Sequence, residues 1–273
     1  MRILLTGSNG FLGSTVLNQI QKSKHNVIPI VRRKKNSYDV ECDLGNPTLI
    51  LKLLNKYKPE AIINCAAKVD FSEISSKEQY NVNALAPAII ASWCFDNGAH
   101  IIQVSGSIVN GNSTNFFSID SLEIPTNNYG RTKLFADQAI RLSQCSYTIV
   151  RFGGIFGTKG PTHLGINIAI NKAKNGENLS IFGQGKALRN YIHVQDAAKV
   201  LLFCLDNKIK GTHYSGNNQS ISIAEMINDI CSVYLNNAKP EYLEGDESKD
   251  QIVIVSPLLP RTLTFKKSLQ NYL

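Results

Sequence analysis

Apolar and polar positions along this chain fall into blocks that switch between two periods. Arg2 to Thr6 is a short apolar run that reads as a buried strand. Phe11, Leu12, Val16, Leu17 and Ile20 then recur at helical period, predicting a helix that ends near Lys24. Asn26 to Val31 reads as a second strand and Tyr38 to Cys42 as a short third. A helix over Pro47 to Tyr57 is stopped by Lys58-Pro59, because the residue before proline is pushed out of the helical region. Ala61 to Ala67 is apolar on both faces, as a buried parallel strand requires. Glu78 to Asn97 predicts a long helix kinked at Pro87, followed by a strand over Ala99 to Val104. A polar loop, Asn110 to Asn128, leads into a helix opening at Tyr129. Strand and helix alternating at this spacing give an α/β fold with a parallel sheet and helices on both faces. Further on, the pattern predicts a strand over Arg151 to Gly157 and helices over Gly165 to Lys174, Ala197 to Leu205 and Ser222 to Leu235. Asp196 is the expected N-cap of the second of these helices, and Ser220 or Ser222 of the third.

Composition narrows the class. The chain has 273 residues, 43% of them hydrophobic, enough for a sizeable core. No apolar run reaches the ~18 residues of a membrane span, and no export signal is read at the start. The six cysteines are scattered without ligand spacing and read as reduced core residues, with no disulfide or metal site expected. These features point to a cytoplasmic protein. The net charge of +8 suits anionic small molecules. No basic–aromatic stripe supports nucleic acid as a partner.

The chemistry collects at the predicted strand ends. Gly7, Gly10 and Gly13 follow the first strand and open the first helix. Strand, glycine turn and helix is the arrangement that presents backbone N–H groups to a diphosphate. At the end of the second strand, where an acid would take the ribose 2′-hydroxyl of NAD, stands Val31, and Arg32 and Arg33 follow. That favours NADP(H) over NAD(H), with a solvated basic loop as the alternative. Cys65-Ala66-Ala67 would let a cofactor lie against backbone, and Ser105-Gly106-Ser107 ends a later strand. Tyr129 and Lys133 stand four apart and share a helix face. An ammonium there, with an oxidised nicotinamide, could lower the phenol from its usual value of about 10. A Tyr–Lys pair alone occurs in many helices.

Taken together, TGSNGFLG (6–13), Asp43-Leu44, NCAA (64–67), NVNALAP (81–87), YGRTK (129–133), VRFGGIFG (150–157) and RNYIHVQDAAK (189–199) resemble the extended short-chain dehydrogenase/reductase superfamily. The resemblance is to its NAD(P)-dependent sugar epimerase/dehydratase group and covers about three quarters of the chain. NVNALAP and NNYGRTKLFAD look most like the dTDP-4-dehydrorhamnose reductases, and RNYIHVQDAA more like the epimerases. The resemblance implies a Rossmann-type doubly wound parallel sheet over residues 1–155, with 187–210 returning to it. It also implies a smaller C-terminal substrate-binding lobe over 156–186 and 211–273. Gly7, Asn9, Gly10, Phe11, Leu12, Arg32, Arg33, Asp43, Leu44, Cys65, Ala66, Ala67 and Lys133 would hold the cofactor. Tyr129 would be the acid/base, Lys133 would lower its pKa, and Arg189 would contact the diphosphate of a nucleotide-diphosphate sugar. His193 reads as a structural residue. The family's hydroxyl residue falls on Gly106, flanked by Ser105 and Ser107, of which Ser107 is favoured. A keto-sugar reductase is the expected activity. An epimerase with retained cofactor and a cofactor-binding regulatory protein are the alternatives; the oligomeric state is left open, and since relatives often pair through two helices, the apolar residues from Leu85 to Trp93 and from Leu134 to Ile140 would suit a homodimer.

Overall fold

The computed structural model describes residues 1–72, 76–112 and 114–272. In chain order its elements are β1 (Arg2–Thr6), α1 (Phe11–Ile20), β2 (Asn26–Val31), β3 (Val40–Glu41), α2 (Pro47–Tyr57), β4 (Ala61–Asn64), α3 (Lys77–Tyr80), a π-helical turn (Asn81–Leu85), α4 (Ala86–Asn97), β5 (His100–Gly106) and a 3-10 turn (Ser107–Asn110). There follow β6 (Phe116–Phe117), α5 (Asn128–Leu142), β7 (Ser146–Phe152), β8 (Ile155–Phe156), α6 (Gly165–Lys174), β9 (Ser180–Phe182), β10 (Leu188–Arg189) and β11 (Ile192–His193). The last are α7 (Val194–Asp206), β12 (Gly211–Ser215), β13 (Ile221–Ser222), α8 (Ile223–Tyr234), β14 (Glu241–Leu243), β15 (Ile252–Val253) and α9 (Phe265–Tyr272).

A seven-stranded sheet runs in the order β12-β7-β5-β4-β1-β2-β3. β1 pairs in parallel with β2 and β4, β2 with β3, and β4 with β5. The chain steps outward from β1 to β3, then returns to start β4 on the other side of β1. This reversal leaves a crevice past the carboxyl ends of β1 and β4, where open α/β sheets take their ligands. The sheet is buried because its strands are apolar on both faces: Leu4, Ile62 and Ile101 pack with Ile50 and Leu54 of α2, Ile90 of α4 and Ile140 of α5. Ile50, Leu53 and Leu54 lie three and four apart, so α2 turns one apolar stripe inward.

Two compact units divide the chain: Met1–Ser113, Leu122–Arg151 and Ala198–His213 form the first, and Thr114–Ser121, Phe152–Ala197 and Tyr214–Leu273 the second. The second has its own core, built on Phe156, Ile170, Ile181, Ile230, Phe265 and Leu269. All six cysteines are free. Among the described residues, no helix is long and apolar enough to cross a membrane.

Several boundaries differ from the expected ones, each for a local reason. α1 stops at Ile20, not near Lys24, because both the amide (3.0 Å) and the hydroxyl (2.7 Å) of Ser23 turn back to the Ile20 carbonyl. β3 begins at Val40, since the Asp39 carboxylate accepts the amides of Lys35 (2.8 Å) and Asn36 (2.9 Å) and curls the segment before it. β4 ends at Asn64, because the Ala66 amide turns to the Thr6 hydroxyl (3.2 Å). The long helix is interrupted before Pro87 by the π-turn, whose wider ring accommodates a residue without an N–H. Asp196 lies inside the first turn of α7, not ahead of the helix; it accepts the Leu263 amide (3.1 Å) and the Tyr272 hydroxyl (2.8 Å). Ser222 caps α8, with Glu225 completing a reciprocal capping box.

Candidate active site

The glycine turn closes on the crevice. Gly7 has a left-handed φ of +64°, and a Cβ placed there would lie 2.8 Å from the Ala66 backbone. Glycine at 7 therefore lets the turn and the end of β4 come together. The Gly10 amide donates to the Gly7 carbonyl (2.8 Å), and Gly10 starts α1 in an extended conformation. A Cβ on Gly13 would fall 2.1 Å from the Gly7 carbonyl oxygen, so Gly13 allows α1 to pack on its own turn.

A cleft of about 560 Å³ opens here. Gly7, Asn9, Gly10, Arg32, Asp43, Leu44, Cys65, Ala66 and Ala67 line it. Phe11, Leu12, Arg33 and Lys133, also expected at the cofactor, are not part of its wall. Arg33 lines an adjoining cavity with Lys77, Glu41 and Asn81, and the two cavities share Arg32, Asp43 and Glu78. Lys68 and Glu78 belong to the cleft and were not foreseen. The Glu78 carboxylate takes the Arg32 guanidinium at 3.1 Å and also pairs with the Lys68 ammonium.

Beneath the crevice a buried polar ladder crosses three strands. The Thr6 hydroxyl donates to Asn64 Oδ1, and Asn64 Nδ2 donates to Gln103 Oε1 (2.7 Å). Gln103 Nε2 donates to the Val104 carbonyl (3.1 Å), which also accepts the Lys133 ammonium at 2.6 Å. Lys133 therefore sits at the end of β5, 3% exposed.

Tyr129 and Lys133 are carried on α5, whose first turn is fixed by the Asn127 side chain accepting the Gly130 amide (2.8 Å). The Phe71 ring meets Tyr129 edge-on, with centroids 5.4 Å apart. Burial pushes the Tyr129 phenol up to about 12. The expectation that Lys133 lowers this group is not met by protein groups alone. Burial also lowers Lys133, against the opposing pull of Asp137 and Cys65.

The two flanking serines part company. Ser105 is buried and donates to Asp137 Oδ2 (2.9 Å), an oxygen that also accepts Arg151 Nε (2.9 Å). Ser107 is half-buried at the start of the 3-10 turn, and among the described residues its hydroxyl has no protein partner. Arg151 continues to Glu123 (2.6 Å), which Arg141 grips with two nitrogens (2.8 and 2.7 Å). These bonds, those from Arg141 foremost, hold the Glu123 carboxyl down to about 2 from an ordinary 4.5. A depressed carboxylate stabilises the fold fully above its unfolded value and loses that stabilisation as pH falls through its folded one. The thermal midpoint is therefore expected to drop between pH 4.5 and 2, and Glu123→Gln to flatten that slope. An unchanged slope in the variant would assign the acid sensitivity elsewhere.

In the second unit, Arg189 is 7% exposed and gives one nitrogen to the carbonyls of Leu188 (2.8 Å) and Lys249 (2.7 Å). His193 stacks on Tyr272 at 4.7 Å and meets Phe156 edge-on at 5.1 Å. Among the described residues no cluster could hold a metal ion.

The sheet order, the glycine turn at its switch point and the Tyr–Lys helix define the extended short-chain dehydrogenase/reductase fold class. Within it, the chain belongs to the RmlD substrate binding domain family, which matches residues 1–248. It is 24% identical over 242 residues to the probable low-salt glycan biosynthesis reductase Agl14 of Haloferax volcanii, covering 85% of this chain and 80% of that protein. It is also 24% identical over 298 residues to the methionine adenosyltransferase 2 subunit beta of Rattus norvegicus, covering 100% of this chain and 88% of that one. A solved dTDP-4-dehydrorhamnose reductase from Clostridium acetobutylicum superposes with a TM-score of 0.83 at 25% identity, covering 100% of this chain and 98% of that one.

Proposed function

We propose that this chain is an NADP(H)-dependent reductase acting on a keto group of a nucleotide-diphosphate sugar, of the 4-keto-6-deoxy type. The observation that carries the reading is the Tyr129–Lys133 face of α5, with the Lys133 ammonium seated on the Val104 carbonyl and close enough to affect the Cys65 thiol of the cleft wall. The cleft suits a dinucleotide because Gly7, whose Cβ would strike the Ala66 backbone, lets the glycine turn close against the end of β4, and because among the described residues no side chain caps the start of α1, leaving its N-terminus to an anion.

When bound, the reduced nicotinamide supplies a hydride to the sugar carbon. Tyr129 gives its phenolic proton to the substrate oxygen, and Lys133 holds the nicotinamide ribose and steadies the phenolate. Ser107 orients the substrate oxygen, in the place left without a hydroxyl at Gly106. Arg189, anchored through one nitrogen, takes the substrate diphosphate. Arg32 and Arg33 receive the 2′-phosphate of the cofactor. Replacing both by Ala is expected to weaken NADPH about 10–100-fold while NADH changes little, as loss of charged hydrogen bonds implies. Direct titration of both nucleotides checks this, and equal weakening of the two would remove the arginines from cofactor choice.

The test of the activity is loss of NADPH absorbance when a dTDP-4-keto-6-deoxy sugar is added, with NADH in parallel. Oxidation that prefers NADPH is the expected result. A second reading, cofactor binding without turnover, is favoured by Gly106. It predicts tight NADPH binding and no oxidation with any nucleotide sugar supplied.

A further inference from the structure

We propose that Glu78 tempers the cofactor preference of this chain: its carboxylate competes with a 2′-phosphate for Arg32 and Lys68, and in the absence of that phosphate it accepts the ribose hydroxyls of NADH. The proposal rests on the cofactor reading above and deepens it.

The geometry is that of a strap across the crevice. Arg32 follows β2 and Lys68 follows β4, the two strands that flank β1. Glu78 reaches both from α3, one carboxylate oxygen on Arg32 Nη1 at 3.1 Å and the other on the Lys68 ammonium. All three side chains belong to the wall of the cleft that Gly7 lines. Arg32 and Glu78 also belong to the adjoining cavity, where Arg33 and Lys77 add positive charge and Glu41 and Asp43 negative. The strap thus stands where the cofactor's two forms differ.

A phosphate entering beside Arg32 must displace a carboxylate already there, and it meets that carboxylate as a like charge. The Arg32–Glu78 pair is open to water, with side-chain exposures of 73% and 46%, so it is weak and can be exchanged. A ribose diol brings no charge and donates hydrogen bonds that a carboxylate accepts. Glu78 therefore supplies, from α3, the acid that the end of β2 lacks at Val31. The same carboxylate narrows the preference for NADPH that Arg32 and Arg33 give.

The experiment is titration of NADPH and NADH into wild-type protein, Glu78→Gln, Arg32→Ala and the double variant. The ratio of the two dissociation constants is expected to move about tenfold toward NADPH in Glu78→Gln. The shift should shrink in 0.5 M salt, where the Debye length falls to about 4 Å. It should also shrink in the Arg32→Ala background, because part of the effect is competition for that guanidinium. Glu78 is half-exposed on a four-residue helix, so the glutamine variant is expected to melt with the wild type. A ratio unchanged within about twofold, with both nucleotides binding, would overturn this proposal alone. Neither nucleotide binding the wild-type protein would overturn the cofactor reading together with it.

Discussion

Tyr129→Phe is expected to lower the rate of keto-sugar reduction about 10²–10⁴-fold, the range for loss of a positioned proton donor. NADPH affinity should stay within about twofold, since only a hydroxyl is lost. The ring is retained, so the edge-on contact with Phe71 survives and the variant should melt with the wild type. The protonation state supports the role. Burial carries the phenol up to about 12, so Tyr129 is fully protonated at neutral pH and ready to donate in the reductive direction. The reductive rate should therefore be level through neutral pH and fall only in alkali, as the phenol ionises. Single-turnover NADPH oxidation against pH measures it. An unimpaired Phe variant would transfer the proton-donor role to another group, or point to the binding-only reading if neither protein turns over.

Arg151→Leu is expected to cost about 3–5 kcal/mol of stability, as removal of one partner from a buried pair does. Arg151 and Asp137 have side-chain exposures of 1% and 0%. Removing the guanidinium leaves the Asp137 carboxylate to the Ser105 hydroxyl, which donates at 2.9 Å, in a place where burial already pushes its pKa up. The thermal midpoint should fall by roughly 10 °C at the usual conversion for a chain of this size. Arg151→Lys should recover part of the loss, because a cation returns without the planar fork that serves Asp137 and Glu123 together. A change below about 1 kcal/mol on denaturant titration would mean that the network adds little to the fold.

The parts of this architecture legible in the sequence were those written in neighbouring residues. The glycine turn, the apolar strands and the Tyr–Lys spacing each lie within one supersecondary unit, and local sterics and period reveal them. What escaped depends on contacts between distant segments. Glu78 is 46 residues from Arg32, and nothing in the spacing joins an acid on a short helix to a basic run after a strand. The Ser105–Asp137–Arg151 contact joins two strands and a helix, and in the sequence Asp137 is merely a polar residue one turn past Lys133. The π-turn was equally hidden. Pro87 marked an interruption, but the wide turn that precedes it carries Asn83, whose side chain accepts the Lys68 amide (2.8 Å) and donates to the Thr132 hydroxyl (3.1 Å), contacts with distant segments. Asp196 looked like a cap because it precedes an apolar helix; tertiary bonds to Leu263 and Tyr272 claimed it instead.

The Thr6–Asn64–Gln103 ladder also bears on how the sheet finds its alignment. β1, β4 and β5 are apolar on both faces, so a slip between them by one or two residues would still bury hydrophobic side chains, and hydrophobicity alone chooses among registers poorly. A slip would, however, separate Asn64 from both neighbours and strand buried amides and a hydroxyl, at about 1–3 kcal/mol for each group left unpaired. Polar residues thus act as an alignment key inside an otherwise greasy sheet. They bring the glycine turn after β1, the alanines after β4 and the carbonyl under Lys133 to the same height, so that a misaligned sheet is disfavoured before any ligand arrives.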